Sequence, residues 1–156
     1  MTKTKLTATD SYGETFTRTT ARDYAFVVVA RMTQAIADRS AAGLAELLAE
    51  REAAGGDEAV AKATDARNAL KVQIQAAQDA EDWEKARDLS LQGRPASRLA
   101  TIDSVIEYAR KRHAEVQQQA DDRAVNYATW TSRHDLALKA AAKAEAFGTV
   151  EIVPVG

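Results

Sequence analysis

A chain of 156 residues, 46% of them hydrophobic, has enough apolar material for one core and too little for two comfortable domains with a linker between them. Its 21 basic and 23 acidic side chains are well mixed and sum to -2, which excludes the one-sided field of a dedicated nucleic-acid or membrane-surface binder. Cysteine is absent, which removes disulfides, thiol catalysis and Cys-ligated zinc or iron-sulfur sites.

Alanine supplies 34 of the apolar residues, so close helix contacts suit the chain better than a bulky core. Residues 1–10 are rich in Thr and Lys with no apolar run, unlike a secretory signal. The longest hydrophobic stretch, Tyr24 to Ala30, is far short of the roughly 20 residues of a membrane span. The expectation is a soluble protein suited to a reducing cytoplasm.

Residues 3–9 and 15–20 are Thr-rich, with Leu6 and Phe16 among polar neighbours. Ser11, Tyr12, Gly13 and Glu14 lie between them as a turn, which predicts a β-hairpin. From Tyr24 to Arg31 both alternating faces are apolar, the mark of a strand covered on both sides and so of a sheet centre. After Thr33, an N-cap candidate, Ile36, Leu44, Leu47 and Leu48 recur at helical intervals up to Gly55 and Gly56, with Gly43 working against continuity.

Asp57 caps a second predicted helix, with Val60, Leu70, Ile74, Ala77, Trp83, Ala86 and Leu89 on its apolar side and a phase shift near Ala80. Carried through to Gln92, it would be about 50 Å long. Gly93 and Pro95 suit a reversal. Leu99, Ile102, Ile106, Ala109, His113, Val116 and Ala120 then alternate at spacings of three and four, a narrow stripe that predicts a helix between Pro95 and Asp122 packed lengthwise against another. Two long helices with so short a connection should lie antiparallel.

The period returns to two over Val125 to Thr131, a strand. Ser132 and Asp135 have the spacing of a capping box for a last helix with Leu136, Ala140 and Phe147 inward and Gly148 at its end. Thr149 to Val155 is a final strand, with Pro154 suited to an edge. The strands of this last unit would form a right-handed crossover if they were parallel neighbours.

Few residues carry chemistry. Ser132, His134 and Asp135 are too close in sequence to converge as nucleophile, base and orienter. Ser132, Arg133 and His134 are instead a candidate anion-binding helix start, against the plainer reading of a capped helix with solvated charges. Arg110, Lys111, Arg112 and His113 form a basic cluster flanked by Glu107 and Glu115. It is a candidate partner surface together with Tyr108, or simply a solvated helix face. His113 on the apolar stripe is a pH-sensitive contact or a register-setting polar residue. Trp83, inside the acidic run Asp79, Glu81, Asp82, Glu84 and Asp88, is a core residue or an exposed anchor. No P-loop, dinucleotide turn, HExxH or GxSxG is present, and no catalytic residue, metal site or cofactor is implied.

The segment from Tyr127 to Ala141, followed by Gly148 to Val155, resembles a pattern in small uncharacterised proteins of actinobacteria and their phages. That resemblance implies a bacterial cytoplasm, the host's if the protein is phage-encoded, and no assigned activity. The expected architecture is one α+β domain over 1–156. Its base is a small β-sheet of hairpin, central strand and two C-terminal strands with one packing helix (1–32 and 123–156), carrying a long antiparallel helical projection (33–122). The expected function is a non-enzymatic protein-protein interaction module that binds a protein partner or a second copy of itself through the long helices. The alternative is a nucleic-acid-associated protein using Arg110, Lys111, Arg112, Arg123 and Arg133.

Overall fold

The computed structural model describes residues 1–156 and has the α+β composition expected. In chain order it comprises β1 (Thr4–Thr9), β2 (Thr15–Thr20), β3 (Phe26–Arg31), α1 (Gln34–Ala54), α2 (Gly56–Asp79), α3 (Trp83–Gln92), α4 (Arg94–Ala100), α5 (Ile102–Asp121), β4 (Val125–Thr131), α6 (His134–Ala144), a 3-10 turn (Glu145–Phe147) and β5 (Thr149–Pro154). These elements form two compact units, residues 1–39 with 114–156 and residues 40–113.

In the first unit the strands divide between two sheets. β1 and β2 pair with each other as an antiparallel hairpin, while β3 is the middle strand of a second sheet ordered β4-β3-β5. Both neighbours run antiparallel to β3, so β4 and β5 are parallel to each other with β3 between them. The β4-α6-β5 connection therefore spans one strand instead of joining adjacent ones.

The doubly apolar β3 occupies the centre as its pattern requires. Val27 and Val29 pack with Ala8, Phe16 and Val153 on the hairpin side, whereas Val28 and Ala30 pack with Ala137 and Ala144 of α6 on the other. Val27, Val28, Val29 and Val153 are fully buried, each contributing about 1.5–3 kcal/mol by removal from water.

Two polar devices hold this stack in register. The Asp10 carboxylate, buried beneath the hairpin turn, accepts the backbone N–H groups of Tyr12 and Glu14 at 3.0 Å each and pairs with the Arg31 guanidinium. Arg31 also donates to Glu14 at 2.7 Å and to the Arg123 carbonyl at 2.8 Å, and lies over the Tyr12 ring. Gly148 enters β5 at φ +144°. There a Cβ would sit 1.7 Å from the Arg31 carbonyl oxygen, so no side chain is admissible.

In this unit the start of α1 lies beside the end of α5, where Met32, Ile36, Ala37, Val116 and Ala120 cluster and the Gln34 and Gln117 amides bond each other. α1 runs through Gly43 without a break. α6 is capped by Arg133 with no side-chain bond to its N-terminus, and Asp135 pairs with the Arg133 guanidinium at 3.1 Å. The expected Ser132–Asp135 capping box is therefore not formed.

The second unit is helical. α2 does not continue to Gln92. It ends in a Schellman motif, in which Glu81 N–H bonds the Gln78 carbonyl, Asp82 N–H bonds the Ala77 carbonyl, and Glu81 takes φ +57°. Asp82 then caps α3 by accepting the Lys85 N–H at 3.2 Å. The chain reverses here, and α2 packs against both α3 and α4.

At Gly93 and Pro95, where the sequence suggested the turn, the backbone stays helical. Gly93 has φ -79°, its N–H bonds Leu89, and its carbonyl accepts from Ser97. Glycine is there for closeness: a Cβ would meet Leu70 Cδ1 at 3.1 Å. The end of α1 is tied to α4 and α5 by Arg98–Glu50 bonds of 2.6 and 2.9 Å and an Arg51–Asp103 bond of 2.7 Å. Every position of the stripe from Leu99 to Ala120 is buried or half-buried, as its spacing requires.

Candidate functional site

In the first unit, strand alternation and helix periodicity together build a groove. Tyr127, Thr129 and Thr131 share one face of the edge strand β4, and Leu136, Lys139, Ala140 and Lys143 share one face of α6 at spacings of three and four. Between them runs an open groove of about 500 Å³, also lined by Arg22, Tyr24, Trp130 and Ser132.

Its electrostatics depart from those of the whole chain. Arg22, Lys139 and Lys143 bring three cations, no carboxylate lines the groove, and none of the three cations is ion-paired. Tyr24 and Trp130 meet edge to face with centroids 6.1 Å apart, and the Arg18 guanidinium lies 4.8 Å from the Tyr24 centroid. Tyr127 is stacked on Phe147 at 5.2 Å. The Thr131 hydroxyl is inaccessible and has no hydrogen-bond partner, an unusual state for a buried polar atom.

Of the three residues at the α6 start singled out from sequence, only Ser132 lines this groove. Arg133 is occupied by Asp135, and the His134 ring packs edge-on against Phe26 with centroids 5.5 Å apart. Arg22, Lys139 and Lys143 went unnoticed in the sequence. The signal that could have found them is the coincidence of a Tyr-x-Thr-x-Thr alternation with a Lys pair one helical turn apart.

In the second unit Trp83 is 65% exposed on the first turn of α3 and so is not a core residue. Another face of α3 carries a recess of about 400 Å³ lined by Asp82, Glu84, Lys85, Asp88, Leu89 and Gln92, with Trp83 outside it. Tyr108 is 72% exposed on α5.

The basic cluster beside Tyr108 is largely matched by acid. Arg110 borders a recess with Glu52, Asp103 and Glu107, Lys111 lies 3.8 Å from Glu107, and Arg112 is exposed. His113 is half-buried, its Nδ1 inaccessible and without a partner. Arg51 bonds both Asp57 and Asp103, and this holds the Asp57 carboxyl below its ordinary pKa. The Arg98 fork does the same for Glu50. Arg123, in the first unit, lies over the Tyr12 ring.

The Asp10–Arg31 pair is the other feature that sequence reasoning missed. Burial alone would push the Asp10 carboxyl up, but the Arg31 guanidinium and the Glu14 and Tyr12 N–H groups outweigh it and hold the group below its ordinary value. Arg31 is held above its own ordinary value: desolvation opposes its charge, and the bonds to Asp10 and Glu14 more than offset this. The Asp10 carboxylate and both terminal nitrogens of Arg31 have partners within the first unit, the buried Arg31 Nε alone has none, and the cluster serves the fold.

No family model matches the chain, and no curated protein or solved structure matches it.

Proposed function

We propose that this chain is a non-enzymatic protein-interaction module whose second unit receives a basic protein segment at Trp83. The observation that carries the reading is a tryptophan left 65% exposed on α3, a helix that also carries a recess whose lining holds three carboxylates and one ammonium. An exposed indole gives up a large apolar area that a partner recovers on binding, which is why tryptophan is enriched among residues that dominate interface energies. Asp82, Glu84 and Asp88 select for positive charge, and a Lys or Arg laid over the indole adds a cation-π contact. The resemblance of the C-terminal third to small actinobacterial and phage proteins supports a bacterial setting, with a host factor as the kind of partner a phage-encoded form would engage.

The test is a calorimetric titration of the full chain with an oligolysine peptide carrying apolar residues, against an oligoglutamate control. Saturable binding that weakens with salt and falls about tenfold or more in Trp83→Ala is the expected result. No binding at low salt, or equal binding by the variant, rejects the reading. A dimer in sedimentation that Trp83→Ala dissolves redirects it to self-association through the same helices.

A further inference from the structure

We propose that the free edge of β4 takes up an acidic peptide segment as an added strand. β4 ends the sheet order β4-β3-β5, so only one of its edges is paired. The Ala25 N–H bonds the Thr131 carbonyl, which turns Thr131, and by alternation Thr129 and Tyr127, toward β3. Ala128 and Trp130 therefore aim their N–H and C=O groups away from the sheet, where no backbone group of the chain meets them. Ala128 is exposed, and the bulge at Asn126 closes this run of the ladder at Tyr127.

The groove of about 500 Å³ follows that edge. Tyr127 borders it from the α6 side of the sheet, packed on the Val28 and Ala30 cluster, and Trp130 from the hairpin side, packed on the Val27 and Val29 cluster. The hollow thus wraps the strand instead of lying on one of its faces. Lys139 and Lys143 of α6 and Arg22 of the loop before β3 also border it, with no carboxylate in the lining.

An open strand edge offers main-chain hydrogen bonds to any extended chain, and charge selects among the candidates. The three cations deter a second copy of this chain, which would bring the same three to the interface, and they favour a strand carrying carboxylates. In an added strand, residues i and i+2 share one face about 6.7 Å apart. Lys139 and Lys143 are separated by about 6 Å of helical rise, so alternate Glu or Asp side chains on the α6 side match their spacing. A free anion would use the cations and leave the edge unpaired. This site is independent of the Trp83 surface, which belongs to the other unit.

The experiment is a calorimetric titration of the full chain with a blocked peptide as long as β4 that alternates Glu and Val. The other probes are the Lys and Val counterpart, the Glu peptide with its backbone N-methylated, and an oligothymidylate. The Glu peptide is expected to bind saturably below about 1 mM, to weaken with salt, and to lose about tenfold or more in affinity in Lys139→Gln/Lys143→Gln. N-methylation removes the N–H donors and keeps the charge, and is expected to abolish binding. Exchange of the Ala128 and Trp130 amide protons should slow in the complex, while that of Thr129, already paired to β3, should not change. Ala128→Pro deletes an outward donor at an edge position that admits proline, and is expected to keep the thermal transition and lose about tenfold in affinity. The proposal is overturned by no binding of the Glu peptide below about 1 mM, by unaltered affinity in the lysine variant or of the N-methylated peptide, or by tighter binding of the Lys counterpart or of oligothymidylate. A dimer in sedimentation that Ala128→Pro dissolves gives the edge to a second copy and overturns it as well.

Discussion

Replacing Asp10 with Ala should destabilise the first unit far more than loss of an ordinary turn residue. The substitution removes the partner of a buried guanidinium and the acceptor of two backbone N–H groups at once. Breaking a buried pair from one side costs about 3–5 kcal/mol. Arg31 would keep the half-exposed Glu14 carboxylate and the Arg123 carbonyl, which places the loss near the lower end, about 3 kcal/mol. For a chain of this length that is a fall of about 6–12 °C in Tm, readable by circular dichroism, with urea titration giving the free energy directly.

A companion variant, Asp10→Leu/Arg31→Met, removes both charges and fills the space with apolar side chains, so it should recover most of the loss. The sign of the pH dependence follows from the depressed Asp10 pKa. The stabilisation is fully present above the unfolded value near 3.9 and is lost as the pH falls through the lower folded value. The gap between wild type and Asp10→Ala should therefore be constant from about pH 7 to 5 and shrink below about pH 4. A single-variant cost under about 1 kcal/mol, typical of a surface pair, would refute the reasoning, as would a gap that ignores acid.

Two further substitutions test the backbone. Gly148→Ala should prevent β5 from docking normally, because the added methyl lands on the Arg31 carbonyl at a backbone angle that only glycine adopts easily. A loss of several kcal/mol, or no soluble protein, is expected, and wild-type stability would show that β5 pairs otherwise. Glu81→Gly relieves a left-handed residue at the end of α2 and should stabilise the chain by about 0.5–1 kcal/mol in urea titration, whereas a net loss would mean that the Glu81 side chain makes a contribution larger than its backbone strain.

The elements were readable from sequence where one residue pattern answers to one environment. Val27 to Ala30 could only be a strand covered twice, and the stripe from Leu99 to Ala120 could only be a helix with a buried seam. The reversal near residue 80 was not readable in the same way. Its left-handed position is filled by Glu81 rather than Gly, so the usual mark was missing, while Gly93 and Pro95 displayed that mark for a different reason. Gly93 makes room for Leu70, a requirement set by a helix distant in the chain. The candidate groove was visible only in halves: Ser132 drew notice as a helix start, but Lys139 and Lys143 looked like ordinary solvated residues until β4 lay opposite them.

Periodicity and turn chemistry are local properties, and they alone determined the strands, most of the helices and the α+β class. Which strands share a sheet, where α2 turns back, which carboxylate receives Arg31 and which cations border β4 were decided by tertiary packing. Each of those outcomes depends on pairing groups between roughly ten and more than a hundred residues apart, and no short window of sequence carries the energy of a contact made at that separation.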